Sequence, residues 1–331
     1  MVIEGEELTE QETALYDRQI RVWGADAQRR LSKSHVFVCG MKRTVAEFCK
    51  NIVLAGVGSL TLVYDRPMNE EALSANFFIT SDKTVYAGQS VAGVCIESLK
   101  ELNPMVRVTA EEGNILNFDE EYFNKFDIIV ISGCSLETKK LINEKCRRLE
   151  KRVGFYTVDC EGSCDEIFVD LKSYAYSKRN LHQIFKGPFK DANGEIWECR
   201  LQYPSYEVTT AVPWKNLPKR MSKLYFALRV IEKFEQGEGR DLGETSEKDL
   251  YGVLKLRKEL CDVHDVDESF VLEPLLARLI AETREFTPVS ATIIGGIHGQ
   301  AISGKGDPVK NFYLFDATDG KGRVEDVSNF I

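Results

Sequence analysis

The chain has 331 residues, 43 Lys+Arg against 52 Asp+Glu for a formal net charge of −9, 43% hydrophobic residues, and only 24 Gly and 9 Pro. These values exclude disordered, collagen-like and fibrous classes and predict a globular chain of one large or two modest domains. Neither nucleic acid nor membrane is expected as a partner: there is no overall basic field, and no apolar run nears the roughly 20 residues of a membrane span.

The acidic opening MVIEGEELTEQE lacks the basic start and apolar middle of a signal peptide, so the chain reads as intracellular. Thr9 and Glu12 form a capping-box signature. Leu15, Ile20, Val22, Trp23 and Leu31 then recur at roughly helical spacing, which predicts two short helices hinged near Gly24. Residues 35–39 read as a strand, Gly40 as a turn, 44–55 as a helix stopped by Gly56, and 59–64 as a second strand. A helix over 88–102 closed by Asn103-Pro104, strands at 106–109 and 127–131, a helix over 136–150 and a strand at 153–158 repeat the pattern. Near-continuous apolar strands alternating with helices mean a mostly parallel sheet covered on both faces, a doubly wound α/β fold.

Beyond Glu166 the period changes. Residues 166–171 and 197–203 alternate like antiparallel strands that extend the sheet, around a polar loop at 186–194. Helices are predicted over 222–235, 248–261, 269–281 and 289–303, and a strand over 311–316.

Residues 36–53, with Asp65 ending the following strand, have the layout of a nucleotide-binding first βαβ unit. Against G-x-G-x-x-G, the run Gly40-Met41-Lys42-Arg43-Thr44-Val45 keeps the first glycine and puts Lys42 and Val45 in place of the other two. Lys42 and Arg43 read either as cationic phosphate contacts or as a solvated turn. Side chains at these positions obstruct close backbone approach to phosphate, which favours the turn.

The nine cysteines are scattered through apolar segments and read as reduced core thiols. Cys160 and Cys164 are the one close pair; a zinc site is the sharper reading and packing the plainer one, favoured because no second pair lies at finger spacing. His182 and His298 have no Cys or Ser partner motif and read as structural or exposed.

The string Tyr16-Asp17-Arg18-Gln19-Ile20-Arg21-Val22-Trp23-Gly24, just before the first strand, resembles the N-terminal signature of the ubiquitin-activating-type adenylation domains. Parallels continue in Leu102-Asn103-Pro104-Met105-Val106, Gly295-Gly296-Ile297-His298-Gly299-Gln300 and Asn311-Phe312-Tyr313-Leu314-Phe315-Asp316, so the resemblance runs from the first helix to the last strand. Within that family the chain looks like the small subunits of SUMO-activating heterodimers, in plant-like wording. The fold implied is a Rossmann-like adenylation fold, with a first part over 1–176, a short insertion over 177–217 where active chains carry their catalytic-cysteine domain, and helices and a C-terminal part over 218–331. Cys199 falls in that insertion and reads as structural.

Active members carry arginines where this chain has Ala75 and Thr80, a lysine where it has Val91, and a magnesium-binding aspartate where it has Gly133-Cys134-Ser135-Leu136. Neither a thiol nor a hydroxyl suits Mg²⁺, which wants hard, charged oxygen. The resemblance therefore implies that this chain binds no cofactor or metal of its own, with Gly40 and Asp65 left as relics. ATP and Mg²⁺ belong to a large catalytic partner subunit, through which SUMO and a conjugating enzyme are met. By family pattern Arg18 reaches across to the partner's ATP; the plainer reading is a surface arginine paired with an acid such as Asp17. Arg21 is expected in structural pairing. A self-sufficient ThiF/MoeB-like homodimeric adenylyltransferase and a scaffold with no catalytic residue are the rival functions. The resemblance implies a nuclear location, with the cytoplasm as a second.

Overall fold

The computed structural model describes residues 7–63, 76–79, 90–179, 196–282 and 308–331. The chain opens with α1 (Glu10–Leu15), α2 (Asp17–Trp23) and α3 (Ala25–Ser32). The expected capping box is formed: Thr9 Oγ1 accepts from Glu12 N at 3.1 Å, and Thr9 N donates back to the Glu12 carboxylate at 2.8 Å. Two helices were expected and three are present, because Tyr16 turns into the core at 3% exposure and breaks the first one. The hinge at Gly24 is real, with φ +87°.

A Rossmann-like unit follows: β1 (His35–Cys39), α4 (Arg43–Leu54), β2 (Ser59–Val63), α5 (Val91–Leu102), β3 (Arg107–Glu111), α6 (Glu120–Phe123), β4 (Ile128–Ile131), α7 (Leu136–Arg148) and β5 (Gly154–Glu161). These five strands pair in parallel. The sheet then continues antiparallel through β6 (Cys164–Asp170), β9 (Phe312–Asp316) and β10 (Lys321–Glu325), giving eight strands in the order β10-β9-β6-β5-β4-β1-β2-β3. The fold class read from the sequence is therefore the fold observed, a mostly parallel doubly wound sheet extended by antiparallel strands.

Period-two alternation along the strands feeds two cores. Phe37, Cys39, Ile129 and Ile131 pack on one face and Val36, Val38 and Val130 on the other. The first core is closed by α7 and by α8 (Tyr206–Thr210), α9 (Lys223–Glu238), α10 (Leu250–Val263) and α11 (Glu273–Ala281).

Two expectations need correction, and one strand is new. Residues 197–203 do not extend the main sheet: β8 (Ile196–Gln202) pairs with β7 (Ser173–Arg179) in a separate two-stranded sheet. Lys172, at φ +54°, turns the chain out of β6, and its carbonyl accepts from Tyr203 N at 2.7 Å to close the pair. The helix expected from 269 starts at Glu273, because Asp267 caps Ser269 N in a short 3₁₀ turn and Pro274 fits only a first helical turn. Strand β10, in the sequence Lys-Gly-Arg-Val-Glu, was not foreseen: an exposed edge strand shows almost no apolar alternation. The predicted helix over 289–303 lies outside the described residues.

Candidate functional site

Strand order reverses between β1 and β4, so the crevice beyond their carboxyl ends is the topological switch point where open α/β sheets bind ligands. Gly40 ends β1 there at φ +91°, its N–H donating to Val63 O at 3.1 Å, while Ser132 N donates to Cys39 O at 2.9 Å. A Cβ on Gly40 would meet the Ser132 carbonyl oxygen at 2.4 Å. This glycine is fixed by the β1–β4 contact itself, whatever the crevice does.

Lys42 and Arg43 are half-buried. Lys42 runs its stem across the crevice, and a Cβ on Gly133 would lie 3.1 Å from Lys42 Cε. Met41 is buried, its carbonyl accepting from Asn76 Nδ2 at 3.1 Å, and Val45 is fully buried in the core. Val91, in the lysine position of active members, is 1% exposed and faces the second core.

After β4, Gly133 N donates to Asp159 Oδ1 at 2.9 Å. Ser135 is occupied as the N-cap of α7, accepting from Thr138 N at 3.3 Å, and the Cys134 thiol lies against Ser132 O at 3.7 Å. Asp159 belongs to a buried charge chain that the sequence reading missed. Lys139 Nζ stands 2.8 Å from Asp159 and 2.5 Å from Glu232, Tyr206 Oη donates to Glu232 at 2.7 Å, and Arg229 bridges Glu232 and Glu166. Burial opposes the Glu232 carboxylate, but Arg229 and Lys139 outweigh it and hold its pKa down at about 2. Burial prevails at Glu166 and raises its pKa despite Arg229. A signal did exist: Leu136, Lys139, Asn143 and Cys146 fall on one helical face, and all are buried.

The Tyr16–Gly24 string is used in two directions. Inward, it satisfies the orphan carbonyls ending α4. Gln19 Nε2 donates to Leu54 O at 3.3 Å, and Gln28 Nε2 donates to Ala55 O at 2.8 Å while its Oε1 accepts from Trp23 Nε1 at 3.0 Å. Asn103 Nδ2 donates to Val53 O at 2.9 Å and to Tyr16 Oη at 2.8 Å, so two stretches quoted for the family resemblance meet in one contact. Gly56 leaves room for the Tyr16 ring, which a Cβ would approach to 2.4 Å.

Outward, the string presents Arg18. It is exposed, and among the described residues it makes no ion pair or hydrogen bond. Asp17, its expected partner, pairs instead with Arg21 at 2.9 Å, the structural role expected of Arg21. Leu15 and Val22 flank Arg18 at 56% and 74% exposure.

Cys160 and Cys164 sit across the β5–β6 turn and are both buried; Cys160 Sγ contacts Gly162 O, and Cys164 Sγ accepts from Arg278 Nη2 at 3.5 Å. Burial pushes the Cys164, Cys95 and Cys146 thiols each up to about 12, so packing describes them. Cys199 is half-buried on β8, opposite Tyr176. No three His, Cys, Asp or Glu among the described residues could together hold a metal, and no helix among them is long and apolar enough to cross a membrane. Asp65, Ala75, Thr80, His182, Gly295, Gly296, His298 and Gly299 lie outside the described residues.

The profile of the ThiF family matches residues 16–210. The chain belongs to that family. It is 56% identical to SUMO-activating enzyme subunit 1A and to subunit 1B-1 of Arabidopsis thaliana, covering 99% of each chain, and 30% identical to SUMO-activating enzyme subunit 1 of Bos taurus over 96% of both. Plant-like wording is thus matched by higher identity to the plant relatives. The crystal structure of PaaA superposes with a TM-score of 0.53 at 13% identity, covering 98% of this chain and 76% of that one, which speaks to the fold alone.

Proposed function

We propose that this ThiF-family chain is the small, non-catalytic half of a SUMO-activating heterodimer, and that it lends Arg18 to the adenylation site of its large partner. The supporting observation is the division within the Tyr16–Gly24 string. Tyr16, Gln19 and Trp23 are turned inward to hold the end of α4, directly or through Gln28, whereas Arg18 stands exposed beside Leu15 and Val22 with the adjacent Asp17 paired to Arg21. A guanidinium so presented suits an interface, where it would stabilise charge on the pyrophosphate leaving the partner's ATP. The relatives named as subunit 1 over their full length support the SUMO pathway and the existence of a second subunit.

The chain's own crevice does not fit Mg·ATP. Lys42 crosses it, Ser135 is committed to a helix cap, and a thiol and a glycine stand where a hard anionic ligand is needed. On this reading ATP, Mg²⁺ and the thioester-forming cysteine belong to the large subunit, and SUMO and the conjugating enzyme are engaged through the complex. A nuclear location follows from the same reading, by entry with the partner; a fluorescent fusion that reaches the nucleus without the large subunit would overturn the entry route.

Pyrophosphate exchange with SUMO, Mg²⁺ and ATP tests the proposal. The chain alone is expected to give none, the heterodimer to give exchange, and the Arg18→Ala heterodimer to lose a factor on the order of 10³. Exchange by the chain alone would establish an independent adenylyltransferase. An unchanged rate in an intact Arg18→Ala heterodimer would reduce the chain to a scaffold.

A further inference from the structure

A second surface of the molecule gathers cations around a groove. A groove of about 340 Å³ lies between the start of α9 and the β9–β10 hairpin, and Lys219, Arg220, Lys223, Lys321 and Arg323 all line it. This is a concentrated basic field in a chain whose net charge is −9.

The groove neutralises itself only in part. Its two carboxylates are already engaged: Asp316 is held by Arg278 at 2.6 Å and by Thr318, and Asp319 accepts from Lys321 N at 2.9 Å with Lys321 Nζ at 3.7 Å. Lys223 places its ammonium 3.6 Å from the centre of the Phe270 ring. Lys219, Arg220 and Arg323 remain exposed, with no ion pair or hydrogen bond among the described residues.

Charges on an edge strand often serve only to prevent edge-to-edge aggregation, and that would explain Lys321 and Arg323. It does not explain Lys219 and Arg220, which come from a different segment and line the same groove. A small phosphate ligand does not explain the floor, where Met221, Leu224 and Leu314 are buried hydrophobics. Strand β10 supplies the remaining element. It is the last strand of the eight-stranded order, and its register sets Lys321 opposite Asp316 and Arg323 opposite Leu314, both groove residues. Side chains two apart on a strand share a face, so an added strand bearing an acid at every second position would meet these cations in turn while its backbone pairs with β10.

We propose that this groove docks an acidic, extended peptide segment of a partner protein, laid along β10 with its carboxylates toward Lys219, Arg220 and Arg323. The test uses the full-length chain and a fluorescein-labelled peptide of alternating Glu and Val, followed by anisotropy. Binding is expected to weaken as salt rises, to fall about tenfold or more when Gln replaces Glu in the peptide, and to fall by a similar factor in the Lys219→Glu/Arg323→Glu variant but not in Arg30→Glu, an exposed arginine outside the groove. Equal affinity for the reversed variant or for the Gln peptide would overturn the proposal. So would binding of inorganic tripolyphosphate without binding of the peptide. If the reversed variant loses its thermal transition, Lys219→Gln/Arg323→Gln replaces it with the same expectation at a smaller factor. Hydrogen exchange supplies an independent readout: the peptide should slow exchange over 321–325, and protection elsewhere alone would sink the placement along β10.

Discussion

The switch-point crevice and the outer face of α2 treat their polar groups in opposite ways. At the crevice, Gly133 N, Asp159, Lys139, Glu232 and Ser135 are committed to one another or to a helix end, with Asp159, Lys139 and Glu232 buried and Gly133 and Ser135 half-buried. On the outer side of α1 and α2, by contrast, Arg18 stands exposed between the exposed Leu15 and Val22. In a ligand-binding α/β domain the expected arrangement is the reverse, with unsatisfied donors converging on the crevice. The contrast is what the proposed division of labour requires: a crevice whose polar groups hold one another, and an outer face whose arginine is left for another molecule.

The largest effect should come from breaking the buried charge chain. Lys139→Met would leave Asp159 and Glu232 buried with one cation removed, and truncating one partner of a buried ion pair typically costs about 3–5 kcal/mol. Thermal unfolding should show a fall of about 4–7 °C. A near-zero change would mean the crevice is not structural, and the contrast with α2 would collapse. The same chain carries a pH signature. Glu232 has its pKa lowered to about 2, so its stabilising contribution is present above the ordinary carboxylate range and is lost as pH falls toward 2. Glu166, raised by burial, contributes in the opposite sense, favouring the fold at low pH and losing that contribution as pH rises through its folded value. Glu166→Gln should therefore remove that opposing trend and steepen the acid side of a stability-versus-pH curve measured by urea unfolding.

Gly40→Ala comes next. A Cβ there would sit 2.4 Å from a backbone carbonyl oxygen at φ +91°, and backbone cannot give way as a flexible side chain can. A loss of about 3 kcal/mol is expected in urea unfolding. A loss below about 1 kcal/mol would mean that the β1–β4 contact is not what fixes this glycine.

These two residues mark the limit of what the sequence made legible. Gly40 was recognised from its place after an apolar strand, yet its requirement comes from Ser132, 92 residues away, which no local pattern encodes. The parallel sheet was readable because strands such as Ile128–Ile131 are uniformly apolar, while β10 was hidden because an exposed edge strand needs no apolar face. Lys139 sat on the buried stripe of α7 in plain view, but a lysine is read as exposed until its counter-charges on β5 and α9 are known. Arg18 was legible through family resemblance; its exposure and the diversion of Asp17 to Arg21 required the structure.

Tyr16→Phe sharpens the inward half of the string. Asn103 keeps its bond to Val53 O but loses the one to Tyr16 Oη, leaving a buried amide hydrogen unsatisfied. About 1–2 kcal/mol of stability should go, read by urea unfolding. A larger loss would mean that α1 and α2 detach with it.

The smallest expected effect on stability belongs to Arg18→Ala, and it decides the comparison. Arg18 is exposed and bonds to no described residue, so its truncation should change unfolding free energy by less than about 0.5 kcal/mol. A residue whose work lies within its own chain cannot be silent in stability and also essential in the complex. If the variant chain unfolds at the wild-type urea midpoint, assembles normally, and the heterodimer still loses adenylation, the arginine acts across the interface. If instead the isolated chain is destabilised by 1 kcal/mol or more, about the worth of a real intramolecular contact, Arg18 belongs with Tyr16 and Gln19 as part of the clasp on α4, and the outward half of the string carries no chemistry.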